Sequence, residues 1–455
     1  MLTYQDFLQA DNIPDFLRHA IHEHMESDTY RTAKLADTYD KQQNDTIYNY
    51  VRTIMTATGQ NVRDVTAANN RLASNFFARL NTQRTSYSLG NGITFTDAST
   101  KEKLGTDFDS ALKDAGYLAC IHGVSFGFWN LDKLYVFPVT EFCPLWDEDT
   151  GALMAGIRWW QLDEKHPVTA VLYEPDGYTK YHSEGDSYGF DLVEVEKKRA
   201  YKQKYRISEA DGIEIVGGEN YSSFPIVPFW GNRLHLSTLI GMQRKIDSYD
   251  LIQSGFANDL SDVAQIYWII SNAGGMSQDE LAAFRDRLLI QHIALADLDN
   301  SEVKPYQQEV PYQSRGEYLK MIRESIYEDF GGLDVHQVSA DSTNDHLEAA
   351  YQPLDENADD FEYQCIKFVR QILALMGIDD TPLFKRNKIS NQREQTEMIA
   401  SMAHYLDDET ILAKLPWITV DEIPEIIRRK QLEGMSAFNR DQQTEEEEEE
   451  ETEEV

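Results

Sequence analysis

Cysteine is nearly absent: this chain of 455 residues has three, Cys120, Cys143 and Cys365, and none of the paired spacings of a zinc site or disulfide framework. They read as buried thiols. Long apolar runs are missing too, since no stretch approaches the roughly 18 residues that a bilayer-crossing helix requires. No membrane role follows. Met1 to Ala10 lacks a basic stretch followed by an apolar one, so the sequence predicts no secretory signal and a start in the cytoplasm. Nucleotide-binding motifs are lacking as well: no Gly-Lys-Ser or Gly-Lys-Thr follows a predicted strand, and no dinucleotide fingerprint occurs. Any energy coupling must then come from a partner.

Positive charge is the next shortage. Lys and Arg number 42 against 78 Asp and Glu, a formal net charge of -36, and the nine glutamates of Glu445 to Glu454 leave -27 on the rest. A protein that grips DNA by neutralising phosphates carries a basic patch, because counterion release provides most of its nonspecific affinity. The acidic balance excludes that class. It does not exclude a passage through which a polyanion slides without sticking.

What is present is an ordinary globular composition, 41% hydrophobic, long enough for two to four domain-like modules. Tyr4 to Ala78 reads as mostly helical, with amphipathic stretches at Phe16 to His24 and Ala67 to Leu80. Tyr87 to Phe95 reads as a turn leading into a strand, and Asp107 to Cys120 as a helix. Strand character then recurs at Leu134 to Val139, Ala155 to Gln161, Val168 to Tyr173, Tyr178 to His182 and Phe190 to Val195. Asp149-Thr150-Gly151 and Pro175-Asp176-Gly177 are the expected hairpin turns of an antiparallel sheet.

After Phe224 to Trp230 one uninterrupted helix is expected to about Ile270. Leu239, Met242, Ile246, Tyr249, Gln253, Phe256, Leu260, Val263, Tyr267 and Ile270 repeat at alternating steps of three and four, a heptad seam. Gly274-Gly275 ends it. A small insertion follows, with a helix at Gln278 to Leu288 and strands at Leu289 to Leu298 and Ser301 to Val310. A second helix runs from Arg315 to Phe330 and stops at Gly331-Gly332. Leu333 to Asp345 is a polar loop of a length usually reserved for function. A third long helix covers Leu347 to Met376, with Pro353 kinking its first turns or marking its start and Gly377 capping it. Asn391 to Glu433 is expected to be helical, and the glutamate run beyond Arg440 to stay solvated and disordered.

Three motifs have the residue types for chemistry. Gly123-Val124-Ser125-Phe126-Gly127 fits the G-x-S-x-G pattern, but its helix precedes and its strand follows, the reverse of a nucleophile elbow, so a small-residue turn is expected. His19, His22 and His24 beside Glu23 lack the H-E-x-x-H spacing and read as a solvated helix face. Asp147-Glu148-Asp149-Thr150-Gly151 lacks the later bidentate glutamate of a calcium loop and reads as a hairpin turn. No catalytic site, metal or cofactor is expected.

Several stretches carry a resemblance. Asn70 to Phe77 followed by Tyr87 to Ile93, Phe224 to Trp230 with Asn232, Ile246-Asp247-Ser248-Tyr249 with Ser254 to Asp259, and finally Leu406 to Leu412 with Asp421 to Ile426 resemble the portal proteins of tailed phages, of the siphophage type that infects Gram-positive hosts. The likeness covers Tyr39 to Gln431. It departs from the family at Gly90-Asn91-Gly92, where Gly-Lys-Pro is usual, and at Asn344-Asp345-His346-Leu347, where Ser-Gly-x-Ala-Leu is common.

The resemblance implies an α+β portal fold: a mixed wing domain at 1–231 joined by the helix of 347–390, stem helices at 232–270 and 311–332, a small αβ clip at 271–310, a tunnel loop at 333–346, a helical crown at 391–440 and an acidic tail at 441–455. It implies a ring of twelve subunits at the unique portal vertex of the virion capsid, assembled in the host cytoplasm. Double-stranded DNA would pass through the channel. Terminase, a head-completion adaptor, scaffold and major capsid protein would be the partners. Gln337, Ser339, Asp341, Ser342, Thr343 and Asn344 would face DNA in the loop, Arg315, Lys320 and Arg323 would be the stem cations, and Phe284, Arg285, Ile290 and His292 would meet the adaptor in the clip. The competing readings are a non-portal assembly or adaptor protein and, more remotely, a hydrolase using Ser125.

Overall fold

The computed structural model describes residues 2–55, 59–63, 68–163, 165–183, 191–208, 212–263, 267–271, 277, 279–280, 302–306, 312–337, 344–388 and 425–430. Contacts divide the chain into two units, Met1–Leu333 with Pro353–Asn387, and Asp334–Gln352 with Lys388–Val455. Helices and strands are mixed, as the sequence led one to expect.

The N-terminal helices are α1 (Tyr4–Leu8), α2 (Ile13–Glu26), α3 (Asp28–Asp40) and α4 (Asp45–Tyr48). Thr3 and Asp6 form a reciprocal capping box on α1, and Asn12 caps α2, whose Pro14 sits in the first turn where its missing N–H costs nothing. A two-stranded hairpin follows, β1 (Thr53–Met55) with β2 (Asn61–Arg63). Of the helix expected over Ala67 to Leu80 only the last five residues are helical: residues 68–75 carry neither helix nor strand, and α5 (Phe76–Leu89) starts at Phe76 and runs past Tyr87.

Next come β3 (Ile93–Thr94), α6 (Ala98–Leu104) and α7 (Phe108–His122), then β4 (Val124–Asn130), β5 (Lys133–Pro138), β6 (Phe142–Trp146), β7 (Leu153–Trp160), β8 (Thr169–Glu174), β9 (Gly177–Ser183), β10 (Leu192–Arg199), β11 (Lys202–Ser208), β12 (Gly212–Glu219) and β13 (Ile226–Trp230). Strands β6 to β10 form one antiparallel meander, β4 is flanked by β13 and β5 in a second sheet, and β11 pairs with β12. Both expected hairpin turns occur. Pro175 and Asp176 link the paired Glu174 and Gly177, while the Asp147 carboxylate accepts the Thr150 N–H at 2.8 Å in the other.

Strands β4 and β6 escaped the sequence reading for different reasons. From Val124 to Trp129 β4 is buried on both faces, so it shows no alternation. In β6, Pro144 argues against a strand, but β6 lies at a sheet edge, where a missing donor is tolerated.

Beyond β13 lie α8 (Leu239–Val263), β14 (Tyr267–Ser271), β15 (Glu302–Tyr306), α9 (Tyr312–Phe330), a 3-10 turn (Val335–Gln337), α10 (Asn344–Leu375) and β16 (Leu383–Phe384). Two sequence expectations are corrected here. Helix α8 begins at Leu239 and stops at Val263, so Tyr267 and Ile270 belong to a strand and not to the seam. Helix α10 starts at Asn344 and passes through Pro353, which therefore neither starts nor ends it.

Three apolar clusters hold the larger unit. Leu17 and Ile21 of α2 cover Ile157 and Leu172 of the meander. Leu112 and Ala115 of α7, Phe126 of β4 and Phe229 of β13 close around Phe361, Phe368 and Ile372 of α10. Phe77 and Leu80 of α5 pack with Leu239, Met242 and Ile246 of α8 and with Ile322 and Ile326 of α9.

Candidate functional site

The G-x-S-x-G stretch is structural. Gly123 ends α7 with φ +91°, a conformation that other residues resist, and Ser125 is a strand residue, not a turn, fully buried and donating to the Ala115 carbonyl at 2.8 Å. Gly127 is there for space: a Cβ at this position would stand 2.4 Å from the Phe368 ring. The histidines diverge. His24 is buried, with Nε2 2.9 Å from the Val139 carbonyl, and burial holds its pKa below the usual value, whereas His19 and His22 are exposed. Among the described residues no cluster of three His, Cys, Asp or Glu side chains could hold a metal ion.

Helices α8 and α9 form the antiparallel pair that organises the rest. Lys245 of α8 binds Ser325 Oγ at 2.6 Å and pairs with Asp329 near the C-terminus of α9, and Arg315 near its N-terminus pairs with Asp259 near the C-terminus of α8. At 1.5 Å per residue α8 spans roughly 37 Å, shorter than the heptad reading required.

The seam is fully buried over only the first third of the helix. Leu239, Met242 and Ile246 are buried, Tyr249, Gln253 and Phe256 are half-buried, and Leu260 is 54% exposed. Past Ile246 the buried face passes to polar residues, Asp250, Ser254 and Asn258. Their partner is not a helix but the extended segment before α5. Asp250 Oδ1 accepts the Ser74 N–H at 2.9 Å, Ser254 Oγ the Leu72 N–H at 3.0 Å and Asn258 Oδ1 the Asn70 N–H at 2.5 Å. The geometry matches because four residues of helix rise about 6 Å and two residues of extended chain about 6.6 Å. Every second amide of a strand without a sheet is thus satisfied by one side chain per helical turn, a side-chain clasp in place of a β ladder.

The clasp is anchored by a polar knot. Asn44 Nδ2 lies 3.4 Å from both Asp247 Oδ1 and Asp250 Oδ2, and the Tyr39 hydroxyl donates to Asp247 at 2.7 Å. Burial pushes the Asp250 carboxyl up to about 6; the Ser74 and Asn44 hydrogen bonds oppose this and the charge of Asp247 adds to it. A run of polar residues at i, i+4 and i+8 beside an apolar seam was the signal in the sequence. Their role was missed because their partners are backbone amides some 180 residues away.

At its far end the pair opens into β14 and β15, where Ser271 faces Glu302 and Tyr267 faces Tyr306. The chain therefore leaves and returns side by side along two paired strands. At the near end Gln83 of α5 makes two hydrogen bonds with Leu333, to its carbonyl at 2.9 Å and from its N–H at 3.0 Å, fixing the start of the polar loop. On the other flank Asp355 of α10 accepts from the Tyr87 hydroxyl at 2.6 Å and from Arg386 at 2.9 Å.

Of the expected loop residues, Gln337 closes the 3-10 turn and Asn344 opens α10, while Ser339, Asp341, Ser342 and Thr343 lie outside the described residues. Phe284, Arg285, Ile290 and His292 of the expected clip, most of the crown and the acidic tail lie outside them too; residues 425–430 are helical. The three stem cations all have partners within the fold: Arg315 pairs with Asp259, Lys320 lies 3.9 Å from Glu324, and Arg323 stands 5.6 Å from the Tyr327 ring centre.

The family model described as phage portal protein, SPP1 Gp6-like, matches residues 18–454. The chain belongs to this portal family. The portal protein of Bacillus phage SPP1 is 22% identical over 404 residues, 81% of this chain and 77% of that protein. The portal protein of Clostridium phage phiCD119 is 28% identical over 221 residues, 46% of this chain, and that match spans 49% of the relative. Among solved structures, a chain from the neck of a native GTA particle computed with C12 symmetry aligns over 74% of this chain and 88% of its own length, at 10% identity and a TM-score of 0.39. Two of the stretches through which the sequence resembled portals, Asn70 to Phe77 and Ser254 to Asp259, contain every clasp residue except Asp250.

Proposed function

We propose that this chain is one subunit of a ring-shaped portal, a channel at one capsid vertex through which double-stranded DNA is packaged and ejected. Membership of the portal family over residues 18–454 is the observation that carries the reading. The antiparallel α8 and α9 pair suits the stem, 232–270 with 311–332, although α8 is shorter than that segment. A clip at 271–310, entered and left through the paired strands β14 and β15, would meet a head-completion adaptor. Residues 1–231 with much of α10 would form the wing, 333–346 the tunnel loop and 391–440 the crown. Terminase, scaffold and major capsid protein would be the remaining partners.

Electrostatics favour sliding over gripping. With Arg315, Lys320 and Arg323 each beside a partner in the fold, a wall built from an acidic chain repels phosphate, and a duplex held off it meets only a shallow energy profile while it moves. Negative-stain electron microscopy of the purified protein, with native mass measurement to count subunits, tests the reading. Closed rings with an axial hole are expected; compact monomers or small open oligomers under packaging buffer conditions would overturn it.

A further inference from the structure

One copy of this chain carries two surfaces, and no described residue of the first lines the second. The first is the β1–β2 arm. Its base is tied shut, since Arg71 donates to the Tyr48 carbonyl at 2.7 Å and Asn69 to the Tyr50 carbonyl at 3.3 Å, and the clasp fixes the adjoining segment to α8. Yet the arm itself buries little: Met55 is 73% exposed, and Tyr48, Val51 and Val62 are exposed as well. Exposed apolar side chains on a rigidly based two-stranded hairpin mark an interaction surface, because such a hairpin is marginal alone.

The second surface is a groove of about 520 Å³ between α8 and α9, lined by Leu251, Ile252 and Gly255 on one helix and Ser314, Arg315 and Tyr318 on the other. Leu251 and Tyr318 are each 40% exposed there. Gly255, and Gly316 next to Arg315, are glycines inside helices, where glycine is the poorest helix former but proline, and a Cβ on either would meet nothing within 4 Å. Among the described residues nothing fills the space they leave. Close approach of another chain would.

Charge points the same way. Residues 49–63 contain Arg52 and Arg63 and no acid, whereas α8 and α9 together carry eight Asp and Glu against five Lys and Arg. We propose that the β1–β2 arm of one copy docks into the α8–α9 groove of the next, Met55 and Val62 packing over Leu251, Gly255 and Tyr318. The contact is head-to-tail, since arm and groove are different surfaces of one chain, and such contacts close into rings when the rotation permits. The clasp sets the geometry: it holds the arm's base on Asp250 and Ser254, one residue and about 100° around α8 from Leu251 and Gly255. This inference rests on the ring reading above.

Full-length protein carrying Met55→Cys and Leu251→Cys together, mildly oxidised, is run on a non-reducing gel beside the single variants; the three native cysteines are buried and stay silent. A ladder of covalent multimers from the double variant alone is expected. In parallel, Gly255→Leu should keep the wild-type far-ultraviolet circular dichroism and a cooperative thermal transition, because it places a better helix former in open space, and yet lose rings by electron microscopy. A wild type that forms rings while the double variant gives no ladder, or a Gly255→Leu protein that keeps wild-type rings, overturns the docking and leaves the portal reading standing. A wild type that forms no rings removes both.

Discussion

Replacing Asp250 with asparagine probes the clasp at its most buried point. The asparagine Oδ1 can still accept the Ser74 N–H, so the hydrogen bond to the extended segment survives while the charge goes. Burial raises the Asp250 carboxyl from 3.8 to about 6, so between these values the folded protein holds a proton that the unfolded chain has released. Stability contributed by the protonated group is therefore complete below about pH 4 and falls as pH rises through about 6, by roughly 3 kcal/mol in all at 1.36 kcal/mol per pKa unit. About 2 kcal/mol of this falls between pH 4.5 and 7.5. Asp250→Asn has no such dependence. Chemical unfolding of both proteins at the two pH values and one fixed protein concentration should show the variant gaining about 2 kcal/mol on wild type at the higher pH. A difference that stays constant across the window refutes the assignment of a raised Asp250 and, with it, the picture of a desolvated knot around Asn44.

Gly127→Ala puts a methyl group 2.4 Å from a Phe368 ring that is already stacked on Phe229, and overpacking of this kind should lower unfolding free energy by about 1–3 kcal/mol in denaturant titrations. Arg386→Ala leaves Asp355, Asp359 and Glu362 facing one another without their shared cation, so the variant should lose about 1–3 kcal/mol at low ionic strength and recover part of it in added salt, seen as a salt-dependent melting temperature. Asp341→Ala combined with Asn344→Ala should change packaged DNA yield in a reconstituted packaging assay while rings form normally by electron microscopy; failure to assemble would place the loop between subunits.

Much of the local structure was written in the sequence, where short-range rules decide. The turns at Asp149 to Gly151 and Pro175 to Gly177, the helix read at Asp107 to Cys120 and observed at Phe108–His122, and the glycine stops after α9 and α10 follow from residues within one turn of each other. So did the reading of Gly123 to Gly127 as structural, which the order of helix and strand alone supported. The portal resemblance, carried by scattered short stretches, named the family that the match over 18–454 established.

What tertiary structure alone decided is where each periodic pattern stops and what its polar neighbours face. The alternating seam continues on paper to Ile270, yet the chain abandons it after Ile246, because the surface presented to α8 there is an extended backbone with unpaired N–H groups rather than an apolar helix. A buried amide without an acceptor costs about 1–3 kcal/mol, as much as burying a leucine gains, so Asp250, Ser254 and Asn258 take the inward face. Sequence periodicity records which side of a helix is buried. Only the fold decides whether what lies against that side needs methyl groups or oxygen atoms.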